Sequence, residues 1–554
     1  MPRPSASRPA GRALRWLALV LGLGLLALLP ACLKRESAAT RGLREQVLHR
    51  GLSADPFDLD PHLISALPDI NVVSALFEGL VAEHPETLAP VPGVAERWDV
   101  SADGLTYTFH LRAAARWSNG EPVTAQDFVN SIRRVLTPSL GADYATMLHV
   151  LLNAEAYQRG ANPNFSTVGA TAVDARTLRL TLEHPVPHFL AMLTHPVWFP
   201  VYLPALEKAG PVDRRGSRWT RPENFVGNGP FVLRSWQRGK LIVAEKSPTY
   251  WDAATVRLNA IHFHPAGDVD SEERAYRGGQ LHLTEALPFA KVDTWRRERP
   301  AELQISPFLD TYFYRLNVTR PILGEPKVRR ALALAIDRDL IVGKVLRGGQ
   351  QPAHTFVPPG LAGYIPPAGV PLDFAAARAL LAEAGYPGGQ GLPPLELLFN
   401  NSGNHRIIAE AVQDMWRREL GLDIRLVNME GSALLAQRRT LDYQILRSDW
   451  AADFLDPTSF LDVFTSDSSN NHTGWKNARY DSLLRQARLT LDPAARLAVL
   501  RQAEEILLED LPIIPVYFYT TVRLVHPAVR GWHPTPLDRH PYKHVWLDAT
   551  AATD

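Results

Sequence analysis

Hydrophobic and polar residues alternate along one short segment, and the apolar spacing becomes helical soon afterwards. The alternating apolar positions are Leu105, Tyr107, Phe109 and Leu111. This period of two predicts a half-buried strand over Leu105–Arg112. A turn pair follows at Asn119-Gly120. Thr124 and Asp127 then stand at the spacing of a capping box, with apolar residues at helical spacing behind them, so a helix is predicted to begin there.

A strand–helix–strand pattern occupies the region between residues 395 and 450. Strands are predicted over Leu395–Asn400, Asp423–Val427 and Tyr443–Trp450, and helices over Arg406–Leu420, ended by Gly421, and Gly431–Thr440. Such alternation indicates parallel strands, whose carboxyl ends are where ligands bind in α/β sheets. Asn400–His405 and Asp449–Asp453 directly follow strands of this kind, so the pattern places a candidate ligand site there.

Composition and charge narrow the class of protein. The chain has 554 residues, 46% of them apolar and 21% charged, enough for more than one core. Its formal charge of +1 includes four arginines among the first 31 residues, so the remainder is slightly acidic. This balance argues against a nucleic-acid binder, which normally has a basic face. We expect no nucleic-acid partner.

The first residues have the pattern of an export signal. Arginines precede the apolar run Leu17–Leu29, which is shorter than the ~20 residues that span a bilayer. Leu29-Pro30-Ala31-Cys32 resembles the lipobox of bacterial lipoproteins, and Cys32 is the only cysteine. We predict a signal peptide over 1–31, lipidation of Cys32 and a tether over 32–44. The alternative is an ordinary signal peptide with an incidental cysteine. Either way, no intrachain disulfide is expected.

Common catalytic motifs are absent from the sequence. It has no G-x-S-x-G, H-E-x-x-H, P-loop or G-x-G-x-x-G motif, and one cysteine excludes paired zinc thiolates. His262 and His264 stand two apart on a probable strand, where a metal pair is conceivable but surface or core histidines are the simpler interpretation. We therefore expect no enzyme, no cofactor and no metal site.

Several long motifs carry a family resemblance. They include Ala95–Trp98, Ser101–Arg112 and Trp117–Phe128. In these segments the chain resembles the family-5 solute-binding proteins of bacterial ABC importers. Further segments resemble the oligopeptide-binding members of that family, namely Leu59–His62, Leu76–Leu80, Ala331–Leu340, Trp450–Phe460 and Ser466–Asn471. The resemblance covers the chain from about residue 45 onward.

The resemblance implies an α/β, periplasmic-binding-protein-like fold of type II, with two lobes, an inserted domain and a ligand buried between the lobes. Lobe I would comprise 45–77, 203–309 and 521–554. The inserted domain II would span 78–202, and lobe III 310–520.

The resemblance also implies a peptide site. Asp453 matches the acid that holds the peptide α-ammonium group. The stretches whose backbone pairs with the peptide correspond to Ser65, Ala66, Leu67, Asp449, Trp450 and Ala451. The cations that receive the carboxylate at different peptide lengths correspond to Arg447, His405 and Arg438. The aromatic residues of the side-chain pockets correspond to Tyr519 and Phe313.

Each of these residues also has an ordinary structural interpretation. Asp453 could be a loop acid, and Arg447 could pair with Asp449 or Asp442. His405 could simply begin a helix, and Trp450 could belong to the core.

Four differences from the family pattern bear on specificity. Leu346 occupies the place of a lysine for longer peptides, although Lys344 and Arg347 lie beside it. Gly431 stands where a pocket tryptophan is expected. Asp310 and Ala451 replace a cysteine pair. Ser65 replaces an acid near the ligand.

The resulting hypothesis is a monomeric lipoprotein of the periplasm that captures short peptides and delivers them to ABC permease subunits in the inner membrane. A peptide sensor or a murein-peptide binder of the same fold is the main alternative. Binding of a nickel chelate or haem is disfavoured by Asp453, since neither ligand has an equivalent ammonium group. An envelope peptidase is a further alternative, and it would require a nucleophile with a base, or a metal site.

Overall fold

The computed structural model describes Pro2 and residues 36–361, 363–490 and 492–552. Cys32 and the signal peptide predicted over 1–31 lie outside this part, Pro2 excepted. Among the helices that it describes, none has the length and apolar character needed to cross a membrane.

The strands within the described residues are β1 (Val47–Leu52), β2 (Val81–Glu83), β3 (Pro90–Pro92), β4 (Ala95–Val100), β5 (Thr106–Leu111), β6 (Ala170–Asp174), β7 (Thr177–Thr181), β8 (Phe231–Gln237), β9 (Leu241–Lys246), β10 (Ala260–Pro265), β11 (Leu303–Leu316), β12 (Gln351–Pro352), β13 (Leu395–Asn400), β14 (Ile424–Met429), β15 (Ile445–Ala451), β16 (Ile513–Leu524), β17 (Val529–Arg530) and β18 (Trp546–Leu547).

The α-helices in the same part of the chain are α1 (Ala38–Glu45), α2 (Leu67–Leu76), α3 (Ala125–Leu136), α4 (Ala154–Gln158), α5 (Phe189–Met192), α6 (Leu203–Ala209), α7 (Val269–Arg277), α8 (Val292–Glu298), α9 (Pro321–Gly324), α10 (Pro326–Leu334), α11 (Arg338–Leu340), α12 (Phe374–Glu383), α13 (Gly403–Leu420), α14 (Gly431–Thr440), α15 (Thr458–Leu461), α16 (Ala478–Leu489) and α17 (Pro493–Asp510).

Three main sheets organise the molecule. The first has the order β1-β10-β9-β8, with β1 parallel to β10, and the second has the order β4-β5-β7-β6. The chain leaves the first sheet after β1, builds the second, and returns to the first with β8. The third sheet contains β11 to β16 in the order β12-β16-β11-β15-β13-β14.

The third sheet is mixed, which refines the prediction of parallel strands. β13 is parallel to both β14 and β15, as predicted. β11, however, is antiparallel to β15 and to β16. Asp310 and Ala451, the positions where the family resemblance places a cysteine pair, are direct register partners in β11 and β15.

Local predictions from the hydrophobic pattern are confirmed. Tyr107, Phe109 and Leu111 are the buried positions of β5. At the start of α3, the Thr124 side chain accepts from the Asp127 N–H and the Asp127 carboxylate accepts from the Thr124 N–H, which satisfies two otherwise free donors. Gly421 ends α13 with a φ of 70°, in the left-handed region that glycine adopts without strain.

The apolar core is divided in the same way as the sheets. One large cluster joins the first two sheets and includes Leu48, Phe109 and Phe263. Two further clusters lie around the third sheet, one including Tyr314 and the other Phe313.

Helix α1 lies almost wholly in the segment 32–44 for which the sequence predicts a tether. Its Ala39 and Leu43 side chains are buried, and the Ala39 N–H donates to the Gly279 carbonyl oxygen at 2.9 Å. The folded body therefore begins earlier in the chain than the sequence predicts, because α1 packs on the first sheet.

Candidate functional site

A cavity of about 1320 Å³ lies where the parts of the chain that form the three sheets meet. Its lining includes Arg50 from the first sheet, Tyr144 and His195 from the region of the second sheet, and the segments after β13 and β15 of the third sheet. Sites for single small molecules usually measure ~300–1,000 Å³, so this cavity can hold a larger ligand.

Most of the site residues that the sequence singles out line this cavity. They are Ser65, Ala66, Leu67, His405, Arg438, Arg447, Asp449, Trp450, Ala451, Asp453 and Tyr519. The two segments predicted from the ends of parallel strands, Asn400–His405 and Asp449–Asp453, are thus brought to one place.

Phe313 does not line the cavity, which corrects the expectation from the family resemblance. Its side chain is fully buried and packs against Phe356 and Phe464, with ring centroids 5.2 and 6.1 Å away. Successive side chains of a strand point to opposite faces. Asp310 in the same strand lines the cavity, whereas Phe313 falls on the other face and joins the core.

Lys344 and Arg347 also lie outside the cavity lining. Arg347 Nη1 is 3.7 Å from Asp293 Oδ2, and Leu346 is fully buried in the core. In the described conformation this region therefore provides no cation to the cavity.

Asp453 is held by its backbone directly after β15. Its N–H donates to Ser459 Oγ at 2.6 Å, and its carbonyl oxygen accepts from Arg539 Nη2 at 2.6 Å. The guanidinium group of Arg539 is also paired with Glu83 at 2.6 Å. These contacts fix the backbone of Asp453 while leaving its carboxylate directed to other partners.

The Asp453 carboxylate has polar neighbours but no close cationic one among the described residues. The Tyr144 hydroxyl lies near it, and the nearest ionisable nitrogen, His195 Nε2, is 3.8 Å from Oδ1. Burial and the charge of Arg539 hold the pKa of His195 well below its usual range, so this imidazole is neutral. Burial raises the pKa of Asp453 to about 7, although Arg539 and Tyr144 oppose the shift.

Tyr144, His195 and Arg539 were missed by sequence reasoning. The ring centroids of Tyr144 and His195 are 4.4 Å apart, and both residues come from the region of the second sheet. Arg539 comes from the C-terminal segment. None stands in a motif, so only the packing of distant segments brings them to Asp453.

Arg447 lies at the opposite end of the exposed part of β15 and is already paired. Its Nη1 is 3.1 Å from Asp449 Oδ1, and its Nη2 donates to the Tyr519 hydroxyl at 2.5 Å. The guanidinium group also stacks over Tyr312, 4.9 Å from the ring centroid. Burial opposes its charge, but Asp449 and Tyr519 raise the pKa of Arg447 well above its usual value.

His405 and Arg438 each direct a buried nitrogen without a hydrogen-bond partner among the described residues, namely Nδ1 and Nε. Burial and the charge of Arg447 keep the pKa of His405 well below its usual range. His405 is therefore neutral here and not the cation that the family resemblance implies, although a neutral imidazole can still donate to a carboxylate. Burial also lowers the pKa of Arg438, against the influence of Asp449.

The outer edge of β15 is free beside the cavity. β11 pairs with β15 over Ile445–Ala451, whereas β13 pairs with it only at Ile445 and Leu446. No strand within the described residues pairs with the other edge from Arg447 to Ala451. Ser65–Leu67 also lines the cavity, and Ala66 there has extended φ and ψ of −100° and 143°. The free edge of β15 and the extended residue before α2 thus both face the cavity.

Comparison with known proteins identifies the family. The model of the bacterial extracellular solute-binding proteins, family 5, matches residues 89–472. The chain belongs to this family. The family resemblance inferred from the sequence motifs is thereby confirmed.

The relatives match this family 5 protein along nearly their whole length. The periplasmic oligopeptide-binding protein OppA of Escherichia coli is 36% identical over 517 residues, which are 91% of this chain and 93% of OppA. The structure of the E. coli murein tripeptide-binding protein MppA has a TM-score of 0.85 at 35% identity, covering 90% of this chain and 98% of MppA. The predicted α/β two-lobed fold class is confirmed by these similarities.

The described conformation is closer to a peptide complex than to an open form. Haemophilus influenzae OppA in complex with RPPGFSPFR has a TM-score of 0.85 at 32% identity, covering 91% of this chain and 99% of that one. An unliganded open form of MppA reaches only 0.66 at 35% identity, covering 91% and 97%. Since sequence identity is at least as high in the second case, the lower TM-score reflects a difference in conformation and not in sequence.

The structure agrees with the expectation of a roomier side-chain pocket at Gly431. Gly431, at the start of α14, lines the cavity, and a Cβ atom added there would have no neighbour within 4 Å. The cavity of this protein is therefore open at Gly431, where the family resemblance places a tryptophan in relatives.

Proposed function

We propose that this chain is the substrate-binding component of a peptide ABC importer, which encloses short peptides between its lobes and delivers them to permease subunits in the inner membrane. It performs no chemistry on them. The relatives whose names state peptide ligands, OppA and MppA, support the class of ligand.

The observation that carries the proposal is the free edge of β15 with opposite charges at its two ends. A peptide that adds as a strand to Arg447–Ala451 gains main-chain hydrogen bonds irrespective of its sequence. Its ammonium group is then placed at Asp453 and its carboxylate near Arg447. An extended residue adds ~3.3 Å, so each further residue of a bound peptide would move its carboxylate by that distance along the edge of β15.

Side chains of such a peptide would alternate between opposite directions into the cavity. Tyr519 and Gly431 line the cavity on the side of the third sheet, and the space at Gly431 is open. Water that bridges side chains to the cavity walls is nearly as favourable as direct contact, so many sequences are accommodated.

The test is titration calorimetry with trialanine in three forms: free, N-acetylated and C-amidated. Free trialanine should bind, the acetylated form should bind several hundred-fold more weakly, and the amidated form should lose less. Equal affinity for all three would contradict recognition of the termini. Unchanged peptide after prolonged incubation, followed by mass spectrometry, separates binding from peptidase activity.

A murein-peptide ligand is the second candidate, and the similarity to MppA supports it. Native mass spectrometry of protein isolated from its own envelope would identify the peptide that co-purifies. Peptides with D-residues would favour the murein ligand, and ordinary L-peptides the importer of nutrients or a peptide sensor.

Membrane attachment is proposed through Cys32, the only cysteine of the chain. Two acyl chains or more give stable anchoring, whereas one holds only marginally. Cys32→Ser should move the protein from the membrane fraction to the soluble periplasmic fraction. A wild type already found in the soluble fraction would contradict the lipid anchor. We further propose that it acts as a monomer, which light scattering of the detergent-solubilised protein would test.

The domain limits follow the same proposal: lobe I over 45–77, 203–309 and 521–554, domain II over 78–202, and lobe III over 310–520. The first, second and third sheets would form the cores of lobe I, domain II and lobe III. Strands β11 and β16 extend across the limits at 310 and 520, which suits them as connections between the closing lobes.

A further inference from the structure

Three histidine side chains converge on one face of the first sheet, away from the ligand cavity. His49 belongs to β1, and His262 and His264 belong to β10, which is parallel to β1 with His49 in register with His262. Residues two apart share a face of a strand. Arg50, next to His49 in β1, lines the cavity on the other face. The histidine cluster is therefore separated from the peptide site by the sheet.

The geometry of this cluster fits a single metal ion. One nitrogen from each of His49, His262 and His264 lies within 4.8 Å of the others. His49 Nδ1 and His264 Nε2 are 3.0 Å apart and share a hydrogen bond, whose proton a metal ion bound between them would displace. Zinc–nitrogen bonds of ~2.0–2.1 Å place two ligand nitrogens of a tetrahedral site ~3.3 Å apart, so only small side-chain movements are needed.

A fourth histidine, His282, lies next to the cluster and binds the backbone of both β1 and α1. His282 Nδ1 accepts the backbone N–H of His49 at 2.9 Å, and its Nε2 donates to the carbonyl oxygen of Ala39 in α1, also at 2.9 Å. A Cβ atom at Gly42 would approach the His282 ring to 2.7 Å, so α1 packs directly on this layer. His282 therefore joins β1 to α1 beside the cluster.

A histidine binds a metal ion through a deprotonated ring nitrogen. The ring nitrogens of neutral imidazole include one free lone pair, and imidazole suits zinc, copper and nickel rather than calcium or magnesium. His262 and His264 are half-buried, which leaves a path from solvent.

We propose that His49, His262 and His264 form a site for one divalent transition-metal ion of the zinc type, outside the peptide cavity. Three imidazole ligands leave a fourth position for water, as in open zinc sites. Because α1 and β1 are joined through His282 beside it, the bound ion stabilises the attachment of the N-terminal segment to the body.

The test is calorimetry with Zn²⁺ on the full chain purified in detergent without a polyhistidine tag. We expect one site per chain with micromolar affinity or tighter, and visible absorption typical of tetrahedral coordination when Co²⁺ replaces Zn²⁺. His262→Asn and His264→Asn should each weaken zinc binding at least ~100-fold, since even changes behind the ligands cost ~10–100-fold. The matched control is His110→Asn, whose ring pairs with Asp99 on the second sheet.

Zinc should also raise the Tm of the wild type and of the His110→Asn control, and this shift should be absent in the other two variants. Peptide affinity, measured on the same samples, should be unchanged in all of them and shows that each variant is folded. Zinc that binds the wild type no better than the His262 and His264 variants, or that binds none of the proteins, would overturn the proposal without affecting the proposed peptide function.

Discussion

The two ends of the peptide cavity differ in how their charges are compensated. At one end, the Asp453 carboxylate meets a tyrosine hydroxyl and a neutral histidine, and its pKa rises to about 7 because burial penalises the charge. At the other end, Arg447 lies 3.1 Å from Asp449 and keeps a pKa well above its usual value. One end lacks a close counter-ion, and the other already has one.

This difference indicates which interaction should contribute most to peptide binding. A buried carboxylate without a partner is costly, and a peptide ammonium group removes that cost when it arrives. The carboxylate of a peptide gains less at Arg447, because it must share the guanidinium group with Asp449 and Tyr519. Recognition is therefore expected to rest mainly on the peptide N-terminus.

The largest expected effect is that of Asp453→Asn, which removes the charge and keeps the shape. Loss of one partner of a buried ion pair costs ~3–5 kcal/mol, so the affinity for free trialanine should fall ~100- to 4,000-fold in calorimetry. The control is Asp442→Asn, since Asp442 is exposed and, among the described residues, its ion pair is with Arg320. A loss of similar size in the control, or none in Asp453→Asn, would contradict the comparison.

The pH dependence of binding should follow the Asp453 carboxyl. Ammonium binding requires the charged form, whereas without ligand the raised pKa keeps a proton on the group below about pH 7. Because a peptide α-amino group has a pKa of about 8, affinity should be highest at about pH 7.5. It should fall at lower pH by up to tenfold per unit below 7, or ~100-fold at pH 5.

Calorimetry between pH 5 and pH 8 measures this dependence, and heats in buffers of different ionisation enthalpy count the proton released. Asp453→Asn should bind weakly with little change over the same interval. A wild-type affinity independent of pH would show that another group holds the ammonium.

A smaller effect, dependent on peptide length, is expected at the carboxylate end. Arg447→Ala should weaken the shortest peptides most, by about tenfold, since a hydrogen bond to a charged group contributes ~1.5–3 kcal/mol and this one is already shared. His405→Ala should affect peptides about one residue longer. Since Lys344 and Arg347 are outside the cavity lining, pentapeptides should bind less well than tri- or tetrapeptides.

The measurement is a calorimetric matrix of alanine peptides of two to six residues against the wild type and both variants. Arg320→Ala serves as the control, because this exposed arginine lies outside the cavity lining. If each variant lost the same affinity for peptides of every length, Arg447 and His405 would not bind the carboxylates of peptides of different lengths.

The smallest effect is expected at Gly431. A tryptophan there would fill open space beside the cavity, since an added Cβ meets nothing within 4 Å. Gly431→Trp should leave alanine peptides within about twofold of the wild type and weaken peptides with large side chains several-fold. Equal changes for small and large side chains would place the substituted residue outside the side-chain pockets.

Much of the local structure could be predicted from short segments. The strand at Thr106–Leu111, the capping box of Thr124 and Asp127, and the glycine that ends α13 depend on neighbours in the chain. The alternation of strands and helices likewise predicted that Asn400–His405 and Asp449–Asp453 face one cavity. These features rest on hydrophobic period and capping, which a sequence displays directly.

Features that depend on distant segments could not be predicted in this way. Phe313 was expected at the cavity but lies in the core, because the orientation of β11 decides which of its faces is enclosed. His262 and His264 were recognised as a pair, yet the third histidine, His49, joins them only through the pairing of β1 with β10.

Sequence motifs and the hydrophobic pattern were enough to infer the family, the local elements and Asp453 as a candidate ligand residue. The electrostatic state of Asp453 depends on the folded structure, because Tyr144, His195 and Arg539 come from other parts of the chain to surround it. Hydrophobic period and capping act between near neighbours in sequence, whereas burial and charge act between neighbours in space, whatever their separation along the chain.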